Sequence, residues 1–115
     1  VRQILTMGNS VTALICAYDN IAFGAIKELK KAGLRVPDDV SVIGMDNINT
    51  GKYAETSLTT IDSNPEQVCT AAWNLLNEKI KNPYLSGKKE IINAKLIIRE
   101  SIARCNTILS ETTLN

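Results

Sequence analysis

Apolar and polar residues follow one another along this chain in blocks whose periods separate strands from helices. The run V-T-A-L-I-C-A, residues 11–17, is apolar almost throughout and contains β-branched residues. Such a run predicts a strand covered on both faces, as in a parallel sheet. From Asn20 to Ala32 the period changes, and Ile21, Ala22, Ala25, Ile26, Leu29 and Ala32 fall on one helical stripe. Asp19 stands where an N-cap belongs, and Gly33 supplies the stop. Phe23 falls off the stripe. Pro37–Asp38–Asp39 turns the chain into a second apolar run, Val40–Met45. Residues 47–57 are polar, with room for one helical turn, and L-T-T-I at 58–61 reads as a third, shorter strand.

The second half repeats the alternation. Asn64–Pro65–Glu66–Gln67 is a helix start: Asn64 caps, Pro65 suits the first helical position and Gln67 completes a capping box. Val68, Ala71, Ala72, Leu75, Leu76 and Ile80 then form an amphipathic stripe that ends at Asn82–Pro83. Trp73 and Cys69 share one side of this helix and read as core. Residues 84–90 form a polar loop, and I-I-N-A-K-L-I-I-R, 91–99, is a strand candidate broken near Ala94. Residues 1–7 read as the tail of a helix stopped by Gly8–Asn9–Ser10, so the expectation is that sequence precedes Val1. The Thr- and Asn-rich stretch 105–115 reads as a loose tail.

Strand–helix–strand alternation with short connections predicts an α/β fold, a Rossmann-like parallel sheet flanked by helices. In such open sheets ligands bind beyond the carboxyl ends of the strands. Two strands end in acid there, Ala17–Tyr18–Asp19 and Gly44–Met45–Asp46.

Composition narrows the function classes. The chain has 115 residues, 44% of them hydrophobic, and a formal net charge of +1. That is ordinary for a globular domain and offers no electrostatic footprint for nucleic acid or an anionic membrane. No apolar run approaches the ~20 residues of a membrane span. Three widely separated cysteines, Cys16, Cys69 and Cys105, suit reduced thiols in a cytoplasmic protein. The absence of histidine excludes a His-dependent triad and most zinc sites within this chain. With no nucleophile–base pair, phosphate loop or metal cluster, the chain reads as a non-enzyme with no cofactor. Lys27, Lys30 and Lys31 read as a solvated face.

One stretch is more specific than any of these patterns. T-A-L-I-C-A-Y-D-N-I-A-F-G-A-I-K-E-L-K-K-A-G-L-R-V-P-D-D-V-S-V-I-G-M-D-N, then L-T-T-I, then A-K-L-I-I-R-E-S closely resembles the effector-binding core of the lac/galactose repressor family of bacterial transcription regulators. The resemblance covers about residues 10 to 101 and is densest from Gly33 to Asn47.

It implies part of a type I periplasmic-binding-protein fold, two Rossmann-like subdomains around a ligand cleft. Residues 1–61 would belong to the second subdomain, 62–90 would cross to the first, 91–104 would return, and 105–115 would be the tail. Asp46 would contact a small-molecule effector, a sugar or a nucleobase-like compound. Tyr18 would line the pocket lip or pack beside it, Asn47 would hold the loop and orient Asp46, and Asp19 would act indirectly by capping its helix. Phe23 and the segment Tyr53–Ala54 would form a homodimer interface. Operator DNA would be bound only through an N-terminal head outside this chain. The departures are Tyr18, where the family often has a small polar residue, and the lack of proline near Thr56–Ser57 and at Ala94. A solute-binding protein of a sugar transporter shares the fold and is the alternative reading.

Overall fold

The computed structural model describes residues 3, 6, 11–52 and 54–104. Of the expected helical tail over 1–7 only Gln3 and Thr6 are among them; its stop at Gly8–Asn9–Ser10, Tyr53 and the tail from Cys105 lie outside the described residues.

The elements run β1 (Ala13–Ile15), α1 (Asp19–Lys31), β2 (Ser41–Met45), a 3-10 turn (Asn49–Lys52), β3 (Thr59–Asp62), α2 (Pro65–Lys81) and β4 (Lys95–Ile97). The strands lie side by side in chain order. β1, β2 and β3 are parallel, with Ile15 opposite Ile43 and Met45 opposite Ile61. β4 is antiparallel to β3, with Leu96 opposite Ile61. The expected parallel sheet is thus present in β1, β2 and β3, with an antiparallel strand added at its edge. The candidate strand 91–99 contracts to three residues.

Helix α1 forms where its stripe predicts and ends in a Schellman arrangement. The Gly33 N–H donates to Lys30 O and the Leu34 N–H to Leu29 O, both at 3.0 Å. This requires the left-handed φ of 80° that Gly33 supplies. The helix lays Ala22, Ala25, Ile26 and Leu29 on the sheet face formed by Val42, Gly44 and their neighbours. Leu58, Val36, Val40 and Cys16 complete that core. Burial pushes the Cys16 thiol pKa up, which suits an inert packing residue.

The turn into β2 is clamped by its own side chains. Arg35 donates from Nε and Nη2 to the two carboxylate oxygens of Asp39 at 3.0 and 2.8 Å, and its backbone N–H donates to the same group at 2.7 Å. These bonds hold the Asp39 carboxyl down at about 2. The motif R-V-P-D-D-V is therefore a structural closure at the amino end of β2.

A second tie crosses the same end of the sheet. Buried Ser101 donates its hydroxyl to Val42 O at 2.6 Å and accepts from the Thr59 N–H at 2.8 Å, joining β2 to β3. Glu100 accepts from the Ser57 hydroxyl at 2.8 Å, which lowers its pKa.

The opposite face of the sheet is uncovered among the described residues. Ile15 is 78% exposed, Leu96 53% and Ile98 69%. The expected cover on both faces of β1 is not present among the described residues. Helix α2 likewise buries no residue. Trp73 and Cys69, expected in the core, are exposed, because nothing packs on their side of α2 among the described residues. The capping box also fails. Asn64 stands at the N-cap position with φ 55° and ψ 60°, outside the extended region in which a side-chain cap forms, and makes no cap bond. Its N–H is instead held by Asp62 Oδ1 at 2.8 Å.

Candidate functional site at the carboxyl edge of the sheet

Beyond Met45 the chain leaves the sheet in a left-handed turn, with φ 109° at Asp46 and 51° at Asn47. Asp and Asn enter this region more readily than other residues with a side chain, which is one reason for their presence here. Three successive N–H groups then turn back into the fold. Asp46 donates to Ile61 O at 3.0 Å, Asn47 to Thr60 Oγ1 at 3.2 Å and Ile48 to Asp19 Oδ2 at 2.9 Å. The backbone is spent on the sheet, and the Asp46 side chain is exposed.

Asn47 is fixed at both ends of its amide. Nδ2 donates to Asp62 Oδ2 at 3.0 Å, and Oδ1 accepts from Arg99 Nη2 at 2.6 Å. Arg99 reaches across with its other arm, Nη1, to Leu58 O at 2.7 Å. The Asn64 N–H, then the Asn47 amide and the charge of Lys95 hold the Asp62 carboxyl below the usual range. Asn47 thus ties the turn to Asp62 and Arg99.

Asp19 is corrected in its local role. It is the first residue of α1, Tyr18 occupies the N-cap position, and no side chain caps the helix. The Asp19 carboxylate is fully buried and faces the sheet, accepting from the Thr60 hydroxyl at 2.6 Å and from the Ile48 N–H. The pull of two donors across the sheet outweighs a local cap. Gly44 makes this possible: a Cβ there would collide with Asp19 Oδ1 and press on Leu58.

The groups left free for a ligand are Asp46 and Tyr18. No hydrogen bond or ion pair engages the Asp46 carboxylate among the described residues. Tyr18 is 56% exposed at the end of β1. Each lies three residues beyond the registered pair Ile15–Ile43 on neighbouring strands. The carboxyl ends of these two strands therefore offer a carboxylate that accepts hydrogen bonds and an aromatic ring that can stack. Among the described residues no cluster of three or more His, Cys, Asp or Glu side chains could hold a metal ion. No helix there is long and apolar enough to cross a membrane.

Phe23 and Ala54 come together elsewhere, on the outer side of α1. They line a groove of about 490 Å³ with Ile26, Lys30 and Glu55. Phe23 is half-buried against the core, and a Lys30–Glu55 ion pair at 3.1 Å closes the groove's polar side.

Sequence reading missed Thr60, Asp62 and Arg99. T-T-I-D ends β3 in acid just as β1 and β2 end, so the same rule would have found Asp62. Arg99 had a weaker signal, a single cation closing an apolar run.

Comparison with known proteins places the chain in a family. The family described as periplasmic binding protein-like domain matches residues 2–102. The repressor PurR of Klebsiella pneumoniae is 36% identical over 102 residues, covering 89% of this chain and 30% of that protein. The probable repressor ExuR of Bacillus subtilis is 33% identical over 106 residues, covering 92% and 32%. Among solved structures, a LacI family regulator from Enterococcus faecalis with bound ribose superposes with a TM-score of 0.80 at 34% identity, covering 90% of this chain and 38% of that one. A CelR–cellobiose complex superposes with a TM-score of 0.81 at 28% identity, covering 87% and 31%. The chain spans about a third of the length of these relatives. By this match of family, sequence and architecture, the chain belongs to the periplasmic binding protein-like domain family, in the form found in regulators of the lac/galactose repressor type.

Proposed function

We propose that this chain is the effector-sensing and dimerising part of a DNA-binding transcription regulator that acts in the cytoplasm. The observation that carries the reading is the Asp46 carboxylate. It stands at the carboxyl edge of a parallel sheet, on a turn tied down by three backbone bonds, and has no protein partner among the described residues. The effector is a small polyhydroxylated metabolite, with a sugar favoured by the ribose and cellobiose bound in two similar structures. Its hydroxyls donate to Asp46, and the Tyr18 ring stacks on its apolar face. In this reading α2 crosses to the first subdomain, which covers Trp73, and β4 returns to the second. Ligand binding closes the two subdomains and shifts a dimer joined through Phe23, Ala54 and Tyr53 between forms that fit or do not fit an operator. DNA contact belongs to a head outside this chain.

Titration calorimetry of the full-length protein with a panel of pentoses, hexoses, disaccharides and purine bases tests the ligand class. Asp46→Ala is expected to weaken the sugar that binds by about 2 kcal/mol, the scale of a hydrogen bond to a charged group. Unchanged affinity removes Asp46 from the site, and selective binding of a purine base replaces the sugar reading. Phe23→Asp is expected to split the dimer in sedimentation, since it would bury an unpaired charge. An unchanged dimer removes that surface.

A further inference from the structure

Asp46 presents its carboxylate only while the turn at 46–48 keeps its left-handed form. Backbone bonds to Ile61, Thr60 and Asp19 hold one side of that turn. On the other side the Asn47 amide is held by Asp62 and by a side chain from a more distant part of the sequence. Arg99, 52 positions from Asn47, forks its guanidinium between Leu58 O and Asn47 Oδ1. It is half-buried, and its Nη1 lies so near Gly51 that a Cβ there would stand 3.3 Å away. The fork therefore packs over the 3-10 turn that follows the Asp46 loop. Its backbone is pinned too, since the Arg99 N–H donates to Thr59 Oγ1 at 2.9 Å.

The chemistry of the fork is specific. Asn47 has one acceptor and one amide donor on its side chain. Asp62 accepts only, so it fixes which end of the amide faces it, and the carbonyl end then requires a donor on the other side. Arg99 meets that need while keeping its second arm on Leu58 O, just before β3. A lysine has one ammonium on a flexible stem and cannot span Leu58 O and Asn47 Oδ1 in a fixed plane.

We infer that Arg99 is a positioning residue for the effector site, acting through Asn47 to hold the turn in the form that presents Asp46. Because Arg99 lies two residues beyond the end of β4, a shift of β4 is transmitted to the same turn. The inference rests on the reading of Asp46 as the effector-binding acid, and its test separates the two.

Amide hydrogen exchange in the ligand-free, full-length protein needs no effector. Arg99→Gln is expected to speed exchange of the Asn47 and Ile48 N–H groups at least tenfold relative to Val42 in β2, and Arg99→Lys to restore at most part of the protection. Equal acceleration at all three positions marks a merely structural role and overturns the inference, as does no acceleration. A cycle of Arg99→Gln and Asp46→Ala, read by calorimetry with D-ribose, supplies the second readout. Arg99→Gln is expected to weaken ribose about tenfold when Asp46 is present and to have no further effect in Asp46→Ala. An equal loss in both backgrounds overturns the inference. If Asp46→Ala alone leaves ribose affinity unchanged, or ribose does not bind, the effector reading fails and the exchange result alone decides the role of Arg99.

Discussion

Helix α1, 13 residues long, buries Ala22, Ala25, Ile26 and Leu29 against the sheet, whereas α2, with 17 residues and an apolar stripe of its own, buries none. Both are amphipathic, both follow a strand, and both end in basic residues that suit the helix dipole. The sheet repeats the contrast: the face toward α1 holds fully buried Val42 and Leu58, and the other leaves Ile15 and Ile98 exposed. An apolar stripe records that a surface needs a cover. It does not record where the cover comes from. For α1 the partner strands lie within the described residues; among those residues nothing buries the stripe of α2.

The largest expected effect separates the two helices directly. Leu29→Ala should lower unfolding free energy by about 2–5 kcal/mol, because it empties a closed site. Leu76→Ala, at a position 52% exposed, should change it by less than about 0.5 kcal/mol in the same 115-residue chain. Denaturant titration checks both, and equal losses would mean that α2 is covered after all.

Next come the groups between α1 and the sheet. Thr60→Val removes one of the two donors to the buried Asp19 carboxylate and is expected to cost about 1–3 kcal/mol. Gly44→Ala drives a methyl group into the same carboxylate and should cost a similar amount, about 1–3 kcal/mol. Thermal unfolding of each variant measures this. A neutral Gly44→Ala would show that Asp19 can turn away.

A smaller effect is expected on the uncovered side. Trp73→Ser and Ile98→Lys should leave unfolding free energy within about 0.5 kcal/mol of the parent. They should also lower self-association of the 115-residue chain in sedimentation, since exposed apolar surface is what drives it. Unaltered sedimentation would place association elsewhere, with the Phe23 groove the next surface to test.

The smallest effect is a pH dependence at the turn that leads into the core face. Asp39 has a folded pKa of about 2, lowered from an unfolded value near 3.9. Its contribution is therefore complete above about pH 4 and is lost as pH falls toward about 2. Asp62 acts in the same direction through its lowered pKa. Arg35→Gln should flatten the stability curve in that acid window and leave neutral pH nearly unchanged, as read by acid titration of the circular dichroism signal. The Arg35–Asp39 pair is exposed and screened, so the change is modest.

Local patterns carried much of this fold. The 3.6-residue stripe of α1, its glycine stop, Pro65 at the start of α2, and the apolar runs of β2 and β3 are all where side-chain periodicity puts them. These features depend on neighbours a few residues apart, so a linear sequence displays them. Asp46 was legible for a related reason: an acid at a strand's carboxyl end stands out against the buried run before it. Asp19 was legible as important but not in its role, because its donors come from Ile48 and Thr60, 29 and 41 positions away.

What the sequence by itself determined is the set of elements, their order, and the strand ends at which polar residues gather, since propensity and periodicity act over a turn or two. Only the tertiary structure decided that β4 runs antiparallel and that Asp19 abandons its helix cap for the sheet. It also decided that Arg99 grips Asn47 and that Trp73 stands uncovered. Each of these outcomes turns on which distant donor, acceptor or apolar face arrives to satisfy a group, and that is settled when the chain packs.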